Sequence, residues 1–137
     1  MIDESALLER DRRRLRDEQA VWLVTVRADG MPQPTPVWFQ WDGSTFLIYS
    51  QRDKPKLRNI AADPNVALHF NADADGEEVF VLFGTARQDP SAPSVLENPD
   101  YLRKYSDGIR SIGLTPQSMS EEYSEPVRIE PMSFRSW

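Results

Sequence analysis

Residues 21–50 read VWLVTVRADGMPQPTPVWFQWDGSTFLIYS. Apolar and polar residues alternate with period two, and Asp-Gly pairs at 29–30 and 42–43 cut the stretch into three runs. Glycine accepts the positive φ that tight turns require, so each pair marks a hairpin and the stretch predicts three successive antiparallel strands. Immediately after it, DKPKLRNIAAD (53–63) predicts a short helix with Asp53 as its cap, Pro55 in the first turn and an apolar face of Leu57, Ile60 and Ala61. Asp63-Pro64 ends that helix. NVALHF (65–70), VFVLFGTAR (79–87) and the closing EPVRIEPMSFRSW (125–137) add three strands, for a mainly β chain of six antiparallel strands with peripheral helices.

The remaining segments fit around this sheet. Residues 4–17 alternate acids and bases over a thin stripe of Leu7, Leu8 and Leu15, which predicts an exposed helix with its arginines in water. DPSAPSVLENPD (89–100) reads as a Pro- and Ser-rich loop, and 101–113 and 115–123 as two helical pieces, the second capped by Thr115 with Pro116 in its first position. In the last strand Val127 and Ile129 point inward and Arg128 and Glu130 outward. The run 79–87 is apolar on both parities, so its outer face needs cover from a helix or a second subunit, and a homodimer is expected.

With 137 residues the chain makes one domain, 1–137. It has no cysteine, so neither a disulfide framework nor a thiolate metal site is available, in keeping with a cytoplasmic protein. No apolar run reaches the roughly 18–20 residues of a membrane span. A formal net charge of -6 argues against nucleic acid as the main partner. Any anion site must therefore be local.

SQRDKPKLR (50–58) holds the best candidate. Cations are unfavourable at a helix N-terminus, yet Arg52 precedes the helix and Lys54 and Lys56 lie at its first turn. A bound anion would turn each of these repulsions into an attraction and add the Ser50 hydroxyl and backbone donors, so the stretch reads as a phosphate seat. A surface helix with solvated lysines accounts for the same spacing. MPQPTP is the second feature: Pro32, Pro34 and Pro36 remove alternate N–H donors along one side of a strand, which must therefore be a sheet edge facing solvent, a partner chain or a flat ligand. Aggregation protection is an equal reading.

Other chemistries lack their residues. The only histidine, His69, lies in an apolar strand without partners and reads as structural. There is no nucleophile elbow, no P-loop and no dinucleotide fingerprint. Hydride transfer survives this shortage, because a flavin-like ring carries the reaction and the protein supplies position and electrostatics.

Residues 20–87, above all YSQRDKPKLRNIAADPNVAL and DGxPxxxPVWF at 29–39, resemble the pyridoxamine 5'-phosphate oxidase-like split β-barrel proteins, in particular the branch using the deazaflavin coenzyme F420. The resemblance implies a six-stranded split barrel, a homodimer with cofactor between subunits, and hydride transfer to a small unsaturated molecule. By motif position Ser50, Lys54 and Lys56 would hold the cofactor phosphate, with Arg52 and Arg58 near it or near an acidic tail and Gln51 among the cofactor-binding residues. The ring would lie along Gln33, Thr35, Pro36, Val37 and Trp38. Pyridoxamine phosphate oxidases end in an arginine-histidine substrate motif, whereas this chain ends MSFRSW, which argues against vitamin-B6 oxidation. Pro55 before Lys56 replaces their arginine-lysine pair and favours F420 over FMN. An FMN-binding oxidoreductase, a flavin- or deazaflavin-binding protein without catalysis and a heme-binding or heme-degrading split barrel are the other readings.

Overall fold

The computed structural model describes residues 2–137. A 3-10 turn (Glu4–Ala6) and helix α1 (Glu9–Asp17) precede strands β1 (Ala20–Val26), β2 (Pro32–Trp38), β3 (Gln40–Trp41) and β4 (Phe46–Ser50). Helix α2 (Pro55–Ala62), β5 (Asn65–His69), β6 (Phe80–Gln88), α3 (Pro99–Ser111), α4 (Pro116–Glu122) and β7 (Glu125–Ser136) complete the chain. All strand pairs are antiparallel, in the order β2-β1-β5-β6-β7-β4-β3.

That order corrects the expected three-strand meander and raises the strand count from six to seven. The run 32–41 is not one strand: it breaks at Phe39, and its two parts lie at opposite edges of the sheet. Because only one residue separates Trp38 from Gln40, the two edges lie within about 7.6 Å there, two Cα steps of 3.80 Å. The sheet must therefore curl back on itself, and it forms the half-barrel of a split-barrel fold.

Phe39 is fully buried at this seam, where its backbone lacks a ladder partner. Helix α3 supplies one. The Phe39 amide donates to the Tyr105 hydroxyl at 2.8 Å, while the Tyr105 hydroxyl and Lys104 Nζ lie 2.9 and 3.0 Å from the Phe39 carbonyl. A buried peptide must be satisfied, and α3 satisfies this one.

Alternation decides what each strand buries. Val21, Leu23 and Thr25 of β1 point into the barrel, and Trp22, Val24 and Val26 point out. On β4 all five residues are buried: Phe46 and Ile48 join the barrel core, and Leu47 and Tyr49 join a second core against α3 and α4. As expected, Val127 and Ile129 are buried and Thr115 caps α4. The hairpin glycines, Gly30 and Gly43, have φ of 85° and 99°.

Helix α1 departs from expectation. It starts at Glu9, with Leu7 and Leu15 buried and Leu8 exposed. Its arginines are not simply solvated: Arg14 donates to the carbonyls of Glu78 and Asn71, Arg10 to that of Trp137 and Arg12 to that of Leu7. Asp11 is fully buried and accepts from Ser136, so α1 clamps the end of β7.

Candidate functional site

Where β2 and β4 approach below the seam, they leave a cleft of about 360 Å³ roofed by α3 and α4. Pro36, Val37 and Trp38 form one wall, and Ser50, Gln51, Lys54 and Lys56 form another; Tyr49, Tyr101, Ile112, Met119 and Tyr123 complete it. Gln33 and Thr35 line an adjoining cavity of about 270 Å³ together with Thr25, Pro55 and the same two lysines. Gln33 is held by Asn59, whose amide donates to Gln33 Oε1 at 2.8 Å and to Thr25 Oγ1 at 3.0 Å.

Thus the expected residues of β2 and those after β4, far apart in sequence, converge on two connected spaces. Arg52 and Arg58 do not. Both are exposed and line neither cavity; Arg52 donates to Ser124 Oγ at 3.3 Å and Arg58 to the Asp53 carbonyl at 3.3 Å. The Ser50 hydroxyl is already committed to the Gln51 carbonyl at 2.8 Å. Gln51 reaches across to α4, donating to Glu122 at 2.9 Å.

The start of α2 differs from the expected cap. Asp53 adopts φ of 59°, outside the capping geometry, and Lys54 occupies the N-cap position with no side-chain acceptor. The first turn of α2 contains no acid. Lys54 and Lys56 take part in none of the ion pairs or side-chain hydrogen bonds among the described residues. Burial, and then the charge of Lys54, hold the Lys56 ammonium below its ordinary pKa. Two cations without an ion-pair partner among the described residues, at a helix N-terminus, make this corner strongly receptive to an anion.

The β2 edge provides a flat surface beside it. β2 pairs only with β1 along Pro32–Trp38, so its three prolines lie on a sheet edge. Trp38 packs flat on Tyr105, with ring centroids 4.6 Å apart and planes 7° from parallel. Its far edge lies over α3 at Gly108, where an added Cβ would come within 3.1 Å of the indole. A residue without a side chain lets the tryptophan lie against the helix.

A larger cavity, about 650 Å³, opens between α1, β3 and α3. It is the weaker candidate, since its charges are already matched: Arg12 with Glu9, Arg16 with Asp17, Arg103 with Asp100. Lys104 there is bound to the Phe39 carbonyl and sits 3.8 Å from the centroid of that ring. His69 lines none of these cavities; it stacks on Trp22 on the outer face of the sheet, 6.1 Å away. Among the described residues no three potential metal ligands cluster. Among the same residues, no helix is long and apolar enough to cross a membrane.

Sequence reading missed the aromatic roof of the cleft. The contributions of Tyr49, Tyr101, Met119 and Tyr123 depend on how α3 and α4 fold back over β4. The available signal is the tyrosine spacing 101/105, four residues apart on one helical face.

A family model described as pyridoxamine 5'-phosphate oxidase matches residues 7–137. Among solved structures, a protein named F420 reductase shares 27% identity over 88% of this chain and 92% of its own, with a TM-score of 0.66. A conserved hypothetical protein from Mycobacterium tuberculosis aligns with a TM-score of 0.72 at 20% identity, covering 96% of this chain and 85% of its own. HutZ, a heme storage protein from Vibrio cholerae, aligns with a TM-score of 0.65 at 17% identity over 94% of both chains. The last two likenesses establish shared fold alone.

Proposed function

The chain belongs to the pyridoxamine 5'-phosphate oxidase family, and from that premise we propose that it is a coenzyme F420-dependent reductase, transferring a hydride from the deazaflavin to a small unsaturated organic molecule. One observation carries the reading: Lys54 and Lys56 face the cleft at an uncapped helix start and, among the described residues, form no ion pair. A phosphate diester would supply that charge, and the β2 edge from Gln33 to Trp38 would support the ring. The coenzyme supplies the hydride chemistry. The chain's own residues bind, orient and exclude water, which fits a site without histidine or paired carboxylates. Arg52 and Arg58, exposed outside the cleft, are available to the coenzyme's acidic tail.

Activity in this reading needs a second copy of the chain. Trp22, Val24, Val81 and Phe83 occupy the outer face of β1 and β6, and Phe83 is 41% exposed. Strand register sets Trp22 beside His69 and His69 beside Val81, and likewise Val24, Ala67 and Phe83, so these side chains form a continuous apolar band. A symmetric dimer would cover it and place the cofactor between subunits.

The direct test mixes purified protein with reduced F420 and quinones, enones and nitroaromatics while following oxidation of the ring. Turnover with at least one class is expected. Tight coenzyme binding without turnover would make it a carrier, and equal affinity for FMN would remove the deazaflavin preference.

A further inference from the structure

Three tyrosines of the second core are packed side by side, and their hydroxyls are used differently. Tyr49 donates to the Pro93 carbonyl at 2.7 Å and accepts from Asn98 at 3.0 Å. Tyr105 is bound to the seam at Phe39 and lies 2.7 Å from the Gln19 carbonyl. Tyr101, between them with centroids 4.9 and 4.7 Å away, is only 1% exposed, yet its hydroxyl makes no hydrogen bond among the described residues. Among those residues only Arg10 Nε and Asp11 Oδ1 are side-chain polar atoms wholly sealed from solvent without a partner. The small exposed surface of Tyr101 therefore includes its oxygen. Tyr101 lines the cleft, which is therefore the space that this oxygen can reach.

A buried phenol with an unused donor is costly unless something accepts from it. Here the acceptor must come from the cleft. We propose that the Tyr101 hydroxyl is the hydrogen-bond donor for the carbonyl, quinone or nitro oxygen of a flat, uncharged substrate, deepening the reductase reading on which it rests. The lining admits an uncharged guest beside a coenzyme phosphate: Ile112, Met119 and the Trp38 ring offer apolar surface, while Lys54 and Lys56 are left to the phosphate. Burial and the neighbouring phenols raise the Tyr101 pKa, so the hydroxyl stays protonated. With reduced deazaflavin as the hydride source, it would donate to the oxygen on which negative charge grows as hydride adds to the conjugated carbon, or to nitrogen in a nitro group; the proton that completes the addition comes from solvent, and Tyr101 keeps its own.

A matched pair of probes tests this on coenzyme-free protein by calorimetry: menadione, a flat quinone, and 2-methylnaphthalene, the same ring system without oxygens. Tyr101→Phe is expected to weaken menadione binding roughly 2- to 12-fold, the span of one neutral hydrogen bond, and to leave 2-methylnaphthalene unchanged. Its melting temperature should match the wild type, because the lost hydroxyl holds nothing in the fold. Undetectable menadione binding to the wild type, equal menadione affinity in the two proteins, or a loss of stability like that of Tyr105→Phe would each overturn the assignment. Separate titration with F420 keeps the two ideas apart: if the coenzyme fails to bind while the menadione difference persists, only the reductase reading falls.

Discussion

The barrel interior and the core beneath α3 and α4 share strand β4 and are built from different chemistry. Apart from Thr25, held by Asn59 at one end, the barrel is lined by side chains with no polar atom, among them Leu23, Phe39, Phe46, Ile48, Leu68, Phe80, Leu82 and Ile129. The second core holds Tyr49, Tyr101 and Tyr105 among Leu47, Val95, Ile109 and Met119. An apolar interior closes completely and rewards only volume, whereas a tyrosine core must find a partner for every hydroxyl. Two of its hydroxyls are spent on structure and the third opens on the cleft. The difference teaches that the barrel supplies rigidity, while the polar handles and the open space belong to the layer packed against its outside.

The largest effect should come from the dry side. Phe46→Ala is expected to cost about 3–5 kcal/mol in chemical denaturation, since a fully buried ring in a closed core leaves a cavity. A loss below about 1 kcal/mol would mean that the barrel collapses around the gap and is not the rigid half. Tyr105→Phe keeps the ring and deprives the Phe39 peptide of its hydroxyl partner, with an expected loss of about 1–3 kcal/mol. Denaturant midpoints measure it, and an unchanged midpoint would separate the seam from α3.

At the cleft, Lys56→Ala should weaken F420 by roughly 1.5–3 kcal/mol, the range of a charge-assisted contact, as followed by fluorescence titration. The same substitution should leave the coenzyme-free protein as stable as before or slightly more so, because it removes a partly buried cation repelled by Lys54. A weaker apo protein with unchanged coenzyme affinity would make Lys56 structural. On the outer face, Phe83→Glu should convert a dimer to monomers in light scattering at little cost to the isolated fold, Phe83 being exposed in the single chain.

The last effect concerns pH. Burial lowers Lys104 to about 8, against the opposing pull of Asp17 and Glu18. The unfolded chain, with an ordinary lysine near 10.5, binds more protons between these values, so stability from this residue rises with pH from about 8 toward 10. Above about 10 the raised phenols act oppositely, since folded Tyr101 and Tyr105 retain protons that the unfolded chain releases. The stability difference between wild type and Lys104→Met should therefore drift in favour of the wild type from about pH 8 to 10. A difference independent of pH would show that Lys104 titrates normally.

Period-two alternation, Asp-Gly turns and the inverted charge at 52–58 are enough to find the strands, two hairpins and the start of α2, because these are local matters of φ, burial parity and helix dipole. The fold class and the cationic corner are therefore legible in the residues alone. Sequence does not reveal that the run 32–41 breaks at Phe39, since no turn residue interrupts VWFQW and only barrel closure separates β2 from β3. Asp53 is a cap by residue type, yet the chain's route out of β4 turns it left-handed. Nor does the sequence show that Tyr101 alone of three buried tyrosines lacks a partner. Hydrogen-bond satisfaction is a property of residues brought together from Gln19, Phe39, Pro93 and Asn98, and only tertiary packing decides which donor is left for a ligand.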